Sequence, residues 1–119
     1  MLTIERENGV LILTASGQIS AEDIDAFEPV FEQFADMQGK VPIVIDATDL
    51  DGYEPSGFWR DLKFDTTHRD QMGPMAIVSQ GGWEAWVTKL SKPLFESAIR
   101  HFGPSEFEAA KAWVVSQSR

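Results

Sequence analysis

Pro42-Ile43-Val44-Ile45-Asp46-Ala47-Thr48-Asp49-Leu50-Asp51-Gly52-Tyr53-Glu54-Pro55-Ser56-Gly57-Phe58 is the stretch whose reading decides the fold. Its first six residues are a mostly continuous apolar run, as expected of a strand covered on both faces. A loop rich in Asp and Gly follows, and Gly57 to His68 then reads as a helix. A buried strand leading through a loop into a helix is the opening of a crossover connection between parallel strands.

Towards the N-terminus, Leu2, Ile4 and Arg6 alternate with Thr3, Glu5 and Glu7, a short strand with one apolar face. Asn8-Gly9 is the pair best suited to a tight hairpin, because both residues tolerate positive φ. Val10 to Ala15 gives the second strand, closed by Ser16-Gly17. Ser20 lies three residues before Asp23 at the head of a helical repeat, where its hydroxyl can accept from a free first-turn N–H. Ile24, Phe27, Phe31 and Phe34 define one face of that helix, widened by Val30 and Met37, and Gly39 ends it. Pro29 removes a backbone donor inside the stretch, so a kink or a split is expected there.

Towards the C-terminus, Pro74 to Ser79 is another buried strand, Gly82 to Leu90 a third helical stretch, and Ser97 to Phe102 a short strand. Pro104 to Ser116 closes the chain as an amphipathic helix with Phe107, Ala110, Trp113 and Val114 on one face. Pro104 suits the first position of that helix, where no N–H is needed. The order is β-β-α-β-α-β-α-(β)-α. It predicts an α/β fold with a mixed sheet of four to five strands, opening with an antiparallel hairpin and continuing with parallel strands and crossover helices.

The 119 residues suit a single domain spanning 1–119, with no repeat or linker to divide it. Nineteen acidic against ten basic residues leave a formal charge of −9, which repels phosphate backbones and argues against nucleic-acid partners. The absence of cysteine excludes disulfides, thiolate metal sites and cysteine nucleophiles. No apolar run approaches the roughly 20 residues of a membrane-spanning helix. Met1 to Glu7 is mixed and acidic, unlike a signal peptide, so a cytoplasmic location is expected.

The segment Ile45 to Phe58 resembles the most recognisable stretch of STAS domains, in which a buried strand ends in Asp and Asp-Ser-Ser-Gly starts the next helix. Phe58-Trp59-Arg60-Asp61-Leu62-Lys63-Phe64, Met75-Ala76-Ile77-Val78, Trp83, Arg100-His101-Phe102 and Glu108-Ala109-Ala110-Lys111-Ala112-Trp113 follow in the order of the SpoIIAA-like branch of that superfamily. The resemblance covers nearly the whole chain. It implies a mixed sheet backed by helices and a non-enzymatic binding module. It also sets Ser56 at the position of the phosphoacceptor serine of the anti-sigma-factor antagonists. Here the motif reads Glu54-Pro55-Ser56-Gly57, and Pro55 removes a donor that a kinase could read. A protein-protein switch at Ser56 is one expectation; a serine that merely caps its helix is the other.

Trp83, Trp86, Val87 and Leu90 fall at helical spacing, followed by Leu94 and Phe95, with Lys89 and Lys92 alongside. Trp with Lys is the makeup of a helix lying weakly on a bilayer surface, peripheral to the membrane, or of a lid over a pocket for a small apolar or amphipathic ligand. A helix packed on the sheet has the same pattern. Lipid-carrier domains of related fold hold apolar ligands between sheet and helices, an analogy of fold alone. Trp59 can line such a pocket or simply pack.

No cofactor or metal is expected. Asp46, Asp49, Asp51 and Glu54 crowd one loop, but their spacing does not follow a calcium loop. His68 and His101, the two histidines, are not accompanied by a Gly-x-Ser-x-Gly elbow, so no catalytic residue is assigned. His68 is expected as a cation ending its helix beside Arg69. An exposed sheet edge or the Trp-rich helix leaves a homodimer open.

Overall fold

Asn8 and Gly9 both take positive φ, 51° and 79°, the left-handed pair that a two-residue hairpin turn requires. They join β1 (Leu2–Glu7) to β2 (Val10–Ile19), paired antiparallel from Leu2 opposite Ala15 to Glu7 opposite Val10. The computed structural model describes residues 1–80 and 99–117, and only the backbone at 53, 58, 59, 61, 62, 65, 66 and 69.

Helix α1 (Ala21–Gln38) starts with the expected cap: the Asp23 N–H donates to Ser20 Oγ (3.2 Å), and Asp23 Oδ2 accepts from the Ser20 N–H (2.9 Å). This reciprocal pair satisfies one orphan donor of the first turn and pins the chain entering it. Pro29 neither splits nor ends the helix, which is continuous over 18 residues. Pro29 is exposed, and so is Asp25, whose carbonyl would otherwise accept from position 29. The missing bond therefore falls on the solvent side, while the opposite face stays packed. At the far end, Gln38 Nε2 donates to the Gly9 carbonyl (3.1 Å), tying α1 to the hairpin turn.

Beyond α1 come β3 (Val41–Tyr53), α2 (Pro55–Thr67), a 3-10 turn at Arg69–Gln71, β4 (Met72–Val78), β5 (Ile99–Phe102) and α3 (Phe107–Gln117). The five strands lie in the order β1-β2-β3-β4-β5, with every pair after the first parallel. Both described crossovers step the same way across the sheet, and right-handedness then places α1 and α2 on one face.

Alternation along the central strands feeds two cores. Leu11, Leu13, Ile43, Met75 and Ile77 face Phe27, Phe31, Phe34 and Phe64 of the first two helices. Val10, Ile12, Val44, Ala76 and Val78 face Ala110 and Val114 of α3. The sheet is covered on both sides, which is why Val41 to Val44 read as an unbroken apolar run.

Several boundaries differ from expectation: α2 begins at Pro55 rather than Gly57, β4 at Met72 rather than Pro74, and three further differences are larger. Ser16-Gly17 does not close β2, and the acidic stretch after Ala47 is not a loop. The two strands run on together, Ser16 opposite Asp49 and Ile19 opposite Tyr53, through two register shifts. Bulges admit Gly and polar residues while the extended backbones satisfy each other. The last helix begins at Phe107 rather than Pro104. Pro104 instead occupies a turn closed by the Glu106 N–H donating to the Gly103 carbonyl (3.0 Å), where its fixed φ is equally suitable.

Candidate functional site

The extension of β2 and β3 sets the position of the α2 N-terminus. The Glu54 N–H donates to the Ile19 carbonyl (2.9 Å), so the first turn of α2 is anchored on the last residue of β2. Gly57 is buried there, and a β-carbon at this position would lie 2.1 Å from the Ile19 carbonyl oxygen. Only glycine allows this approach, and the tip of α2 is thereby held against the end of the sheet.

Ser56 stands on this platform, exposed, in the first turn of α2. It is not the capping residue. Glu54 occupies the cap position and its side chain makes no capping hydrogen bond, while Pro55 takes the first helical position. The reading of Ser56 as a helix cap is therefore corrected: its hydroxyl lies inside the helix, one residue past the proline. The first-turn N–H groups lack a side-chain acceptor from Glu54, and the helix dipole adds positive potential at the same point. A phosphate on Ser56 would find both.

Asp49, Asp51 and Glu54 are exposed around this end of β3, whereas Asp46 turns inward on its own strand. Asp46 Oδ1 accepts from the Thr48 N–H (3.1 Å) and from Thr48 Oγ1 (2.7 Å), a local turn motif rather than a ligand set.

His68 ends α2 as expected, and it is buried there: it is 7% exposed, with its ring 4.6 Å from Phe64 and 5.3 Å from Phe31. Its Nε2 lies 2.8 Å from Glu28 Oε2 and its Nδ1 3.1 Å from Gln71 Oε1. His101 on β5 contacts the Ser79 hydroxyl through Nε2 (2.7 Å). Ser79 has no exposed surface, so this bond satisfies a buried hydroxyl at the end of β4.

Of the residues proposed for ligand or membrane contact, Trp83, Trp86, Val87, Lys89, Leu90, Lys92, Leu94 and Phe95 lie outside the described residues, as does the helical stretch Gly82 to Leu90. Trp59 is on α2, with its side chain likewise outside the description. No helix among the described residues is long and apolar enough to cross a membrane.

Residues 10–115 match the family model described as SpoIIAA-like. The chain belongs to the SpoIIAA-like family. An uncharacterized protein with a SpoIIAA-like fold from Shewanella loihica is similar over 96% of this chain and 92% of its own, at 25% identity and a TM-score of 0.77. The anti-sigma factor antagonist SpoIIAA, in its unphosphorylated form, superposes over 95% of this chain and 97% of its own with a TM-score of 0.63 at 13% identity. An anti-sigma factor antagonist from Mycobacterium paratuberculosis gives 0.56 at 16% identity, over 97% and 93%. At those lower identities the likeness is one of fold. No curated protein matches the chain. The SpoIIAA-like assignment agrees with the mixed five-stranded sheet and with the order of motifs in the sequence.

Proposed function

We propose that this SpoIIAA-like protein is a non-enzymatic, protein-binding regulatory module whose docking face is the first turn of α2, with Ser56 as its switch. The single observation that carries this reading is the exposed Ser56 hydroxyl on a helix tip braced against β2 by Gly57. A fixed, solvent-facing tip suits rigid recognition, since little ordering remains to be done on binding. Phosphorylation would add nearly two negative charges and a bulky hydrated group beside Glu54. The uncapped N–H groups and the helix dipole would stabilise the modified form, and the same group would stand in the way of a docked partner. The structural likeness to anti-sigma factor antagonists, one of them solved as an unphosphorylated form, supports a protein partner.

The test is affinity capture from the native host with wild type, Ser56→Ala and Ser56→Asp, alongside mass spectrometry of the purified protein. A partner retained by wild type and Ser56→Ala and weakened at least about tenfold by Ser56→Asp, a loss of about 1.4 kcal/mol, is the expected result. Equal capture by all three proteins, or no phosphate on Ser56 across growth conditions, would overturn it. The alternative of an apolar or amphipathic ligand, or of weak membrane contact, rests on Trp83 to Phe95 and is read by a separate measurement: tryptophan emission on addition of anionic vesicles.

A further inference from the structure

We infer that Glu28, Glu32 and His68 form a binding site for a first-row divalent transition-metal ion, with Zn²⁺ as the test ion. Glu28 and Glu32 are one helical turn apart on α1, and His68 is brought to them from the C-terminal end of α2. One ligand atom from each residue lies within 4.8 Å of the others. Tetrahedral zinc with bonds near 2.0–2.1 Å sets its ligands about 3.3 Å apart, within reach by rotation of the glutamate side chains. One imidazole nitrogen with two carboxylate oxygens is a donor set that zinc and its neighbours accept, with a position left for water.

The partner of His68 Nδ1 lies outside this cluster and is the second observation. Nδ1 faces the Gln71 amide oxygen and Nε2 faces the Glu28 carboxylate, so with the amide in this orientation both ring nitrogens meet acceptors. A neutral imidazole has one N–H and satisfies one of them; a second ring proton, or a cation bound at Nε2, satisfies the other. With a metal ion on Nε2, Nδ1–H donates to Gln71 and the lone pair on Nε2 binds the cation shared with Glu28. That is the usual outer-shell arrangement of a metal-bound histidine, which fixes tautomer and ring direction.

Packing and charge agree. The ring is held by Phe31 and Phe64 in a slot that opens towards the glutamates, so the ligand is ordered before any ion arrives. Glu28 and Glu32 are like charges at i and i+4, an arrangement that costs a helix a few tenths of a kcal/mol unless a cation lies between them. Among the described residues, no lysine or arginine pairs with either. The site is at the opposite end of α2 from Ser56, about 18 Å along the helix, so its fate is independent of the docking proposal.

Chelator-treated protein titrated with ZnCl₂ by calorimetry should bind one ion per chain, and bound zinc should raise Tm because it favours the folded state. Exposed Glu32 makes Glu32→Gln the decisive variant: it should keep its fold by circular dichroism and lose affinity at least about tenfold. His68→Gln should abolish the site, and His101→Gln should leave it unchanged. On zinc addition the ¹⁵N resonance of His68 Nε2 should move while Nδ1–H persists. Absence of saturable binding up to about 1 mM zinc, or equal affinity in wild type and Glu32→Gln, would overturn the proposal. The contact between His68 and Glu28 would then be a hydrogen bond alone.

Discussion

Asp23 closes the N-terminus of α1 by accepting from the Ser20 N–H and from Ser20 Oγ (3.1 Å), and the Met1 ammonium stands 3.7 Å away. The backbone donor is the largest influence on its carboxyl; partial burial opposes it, and the hydroxyl and the ammonium add to it, so the group is held below its ordinary value. A carboxyl with a depressed folded-state pKa contributes stability above its unfolded value and loses it as pH falls through the folded one. The Tm advantage of wild type over Asp23→Asn should therefore be full at about pH 6 and shrink towards about pH 3. Ser20→Ala, which removes the hydroxyl acceptor, should cost about 1 kcal/mol by denaturant titration. A gap between wild type and Asp23→Asn that is constant with pH would show that the cap does not depend on the ionised carboxylate. This cap was legible in the sequence because Ser20 and Asp23 are three residues apart, and local spacing suffices. The setting of His68 was not. Its contacts with Glu28 and Phe31 cross about forty positions of sequence, and the rule for helix ends sees only the neighbours on the same helix. Ser56 fell between the two cases: the local signal found the helix start, but the choice of cap passed to Glu54 because Pro55 takes the first helical position.

At the scale of elements, the apolar spacing of α1 gave its face correctly: Ile24, Phe27, Phe31 and Phe34 are buried. Contacts pair Asp25 with Arg60, Phe27 and Phe31 with Phe64, and Phe31 with His68, so α1 and α2 run in the same direction. This is the direction two successive crossover helices must take. Phe31 is the hub, with no exposed surface and ring centroids 5.9 Å from Phe27 and 5.0 Å from Phe64. Phe31→Ala leaves a hole that three rings cannot close by small shifts, and should destabilise the protein by about 3–5 kcal/mol in urea or thermal unfolding. A loss below about 1 kcal/mol would mean that the helices slide together and refill the space, contrary to the rigid packing described. The strand ends escaped the sequence reading for a related reason. Ser16-Gly17 and Asp49 to Gly52 each look like a break, and only their pairing with one another makes both extended. That pairing, rather than the motif itself, carries the backbone of Ile19 to the tip of α2 and so builds the platform under Ser56.

For the whole molecule the governing quantity is the charge of −9. Described ion pairs relieve it at a few points: Arg60 with Asp25, and Lys111 with Glu7 (3.3 Å) and Glu108 (3.2 Å). Lys111 is raised above its ordinary value, chiefly by the hydrogen bond to Glu108 and also by that to Glu7, so it stays charged through the working pH range. Exposed pairs of this kind are worth little individually. The remaining carboxylates repel one another over distances comparable to the screening length, about 10 Å at 0.1 M salt. Two opposing effects of salt can then be ranked. Screening weakens the few pairs and also weakens the larger surplus of like-charge repulsion, and the second effect should prevail. Tm measured with chelator present should rise by a few degrees as NaCl goes from about 10 mM to about 200 mM, a range in which screening rather than surface exclusion dominates. The gain should be smaller for zinc-loaded protein, because an ion at Glu28 and Glu32 has already neutralised two of the charges that salt would screen. A Tm that falls with NaCl would reverse the ranking, making the pairs of Arg60 and Lys111 the main electrostatic support of the fold, and Lys111→Met should then lower stability far more than pairs with exposed carboxylates ordinarily contribute.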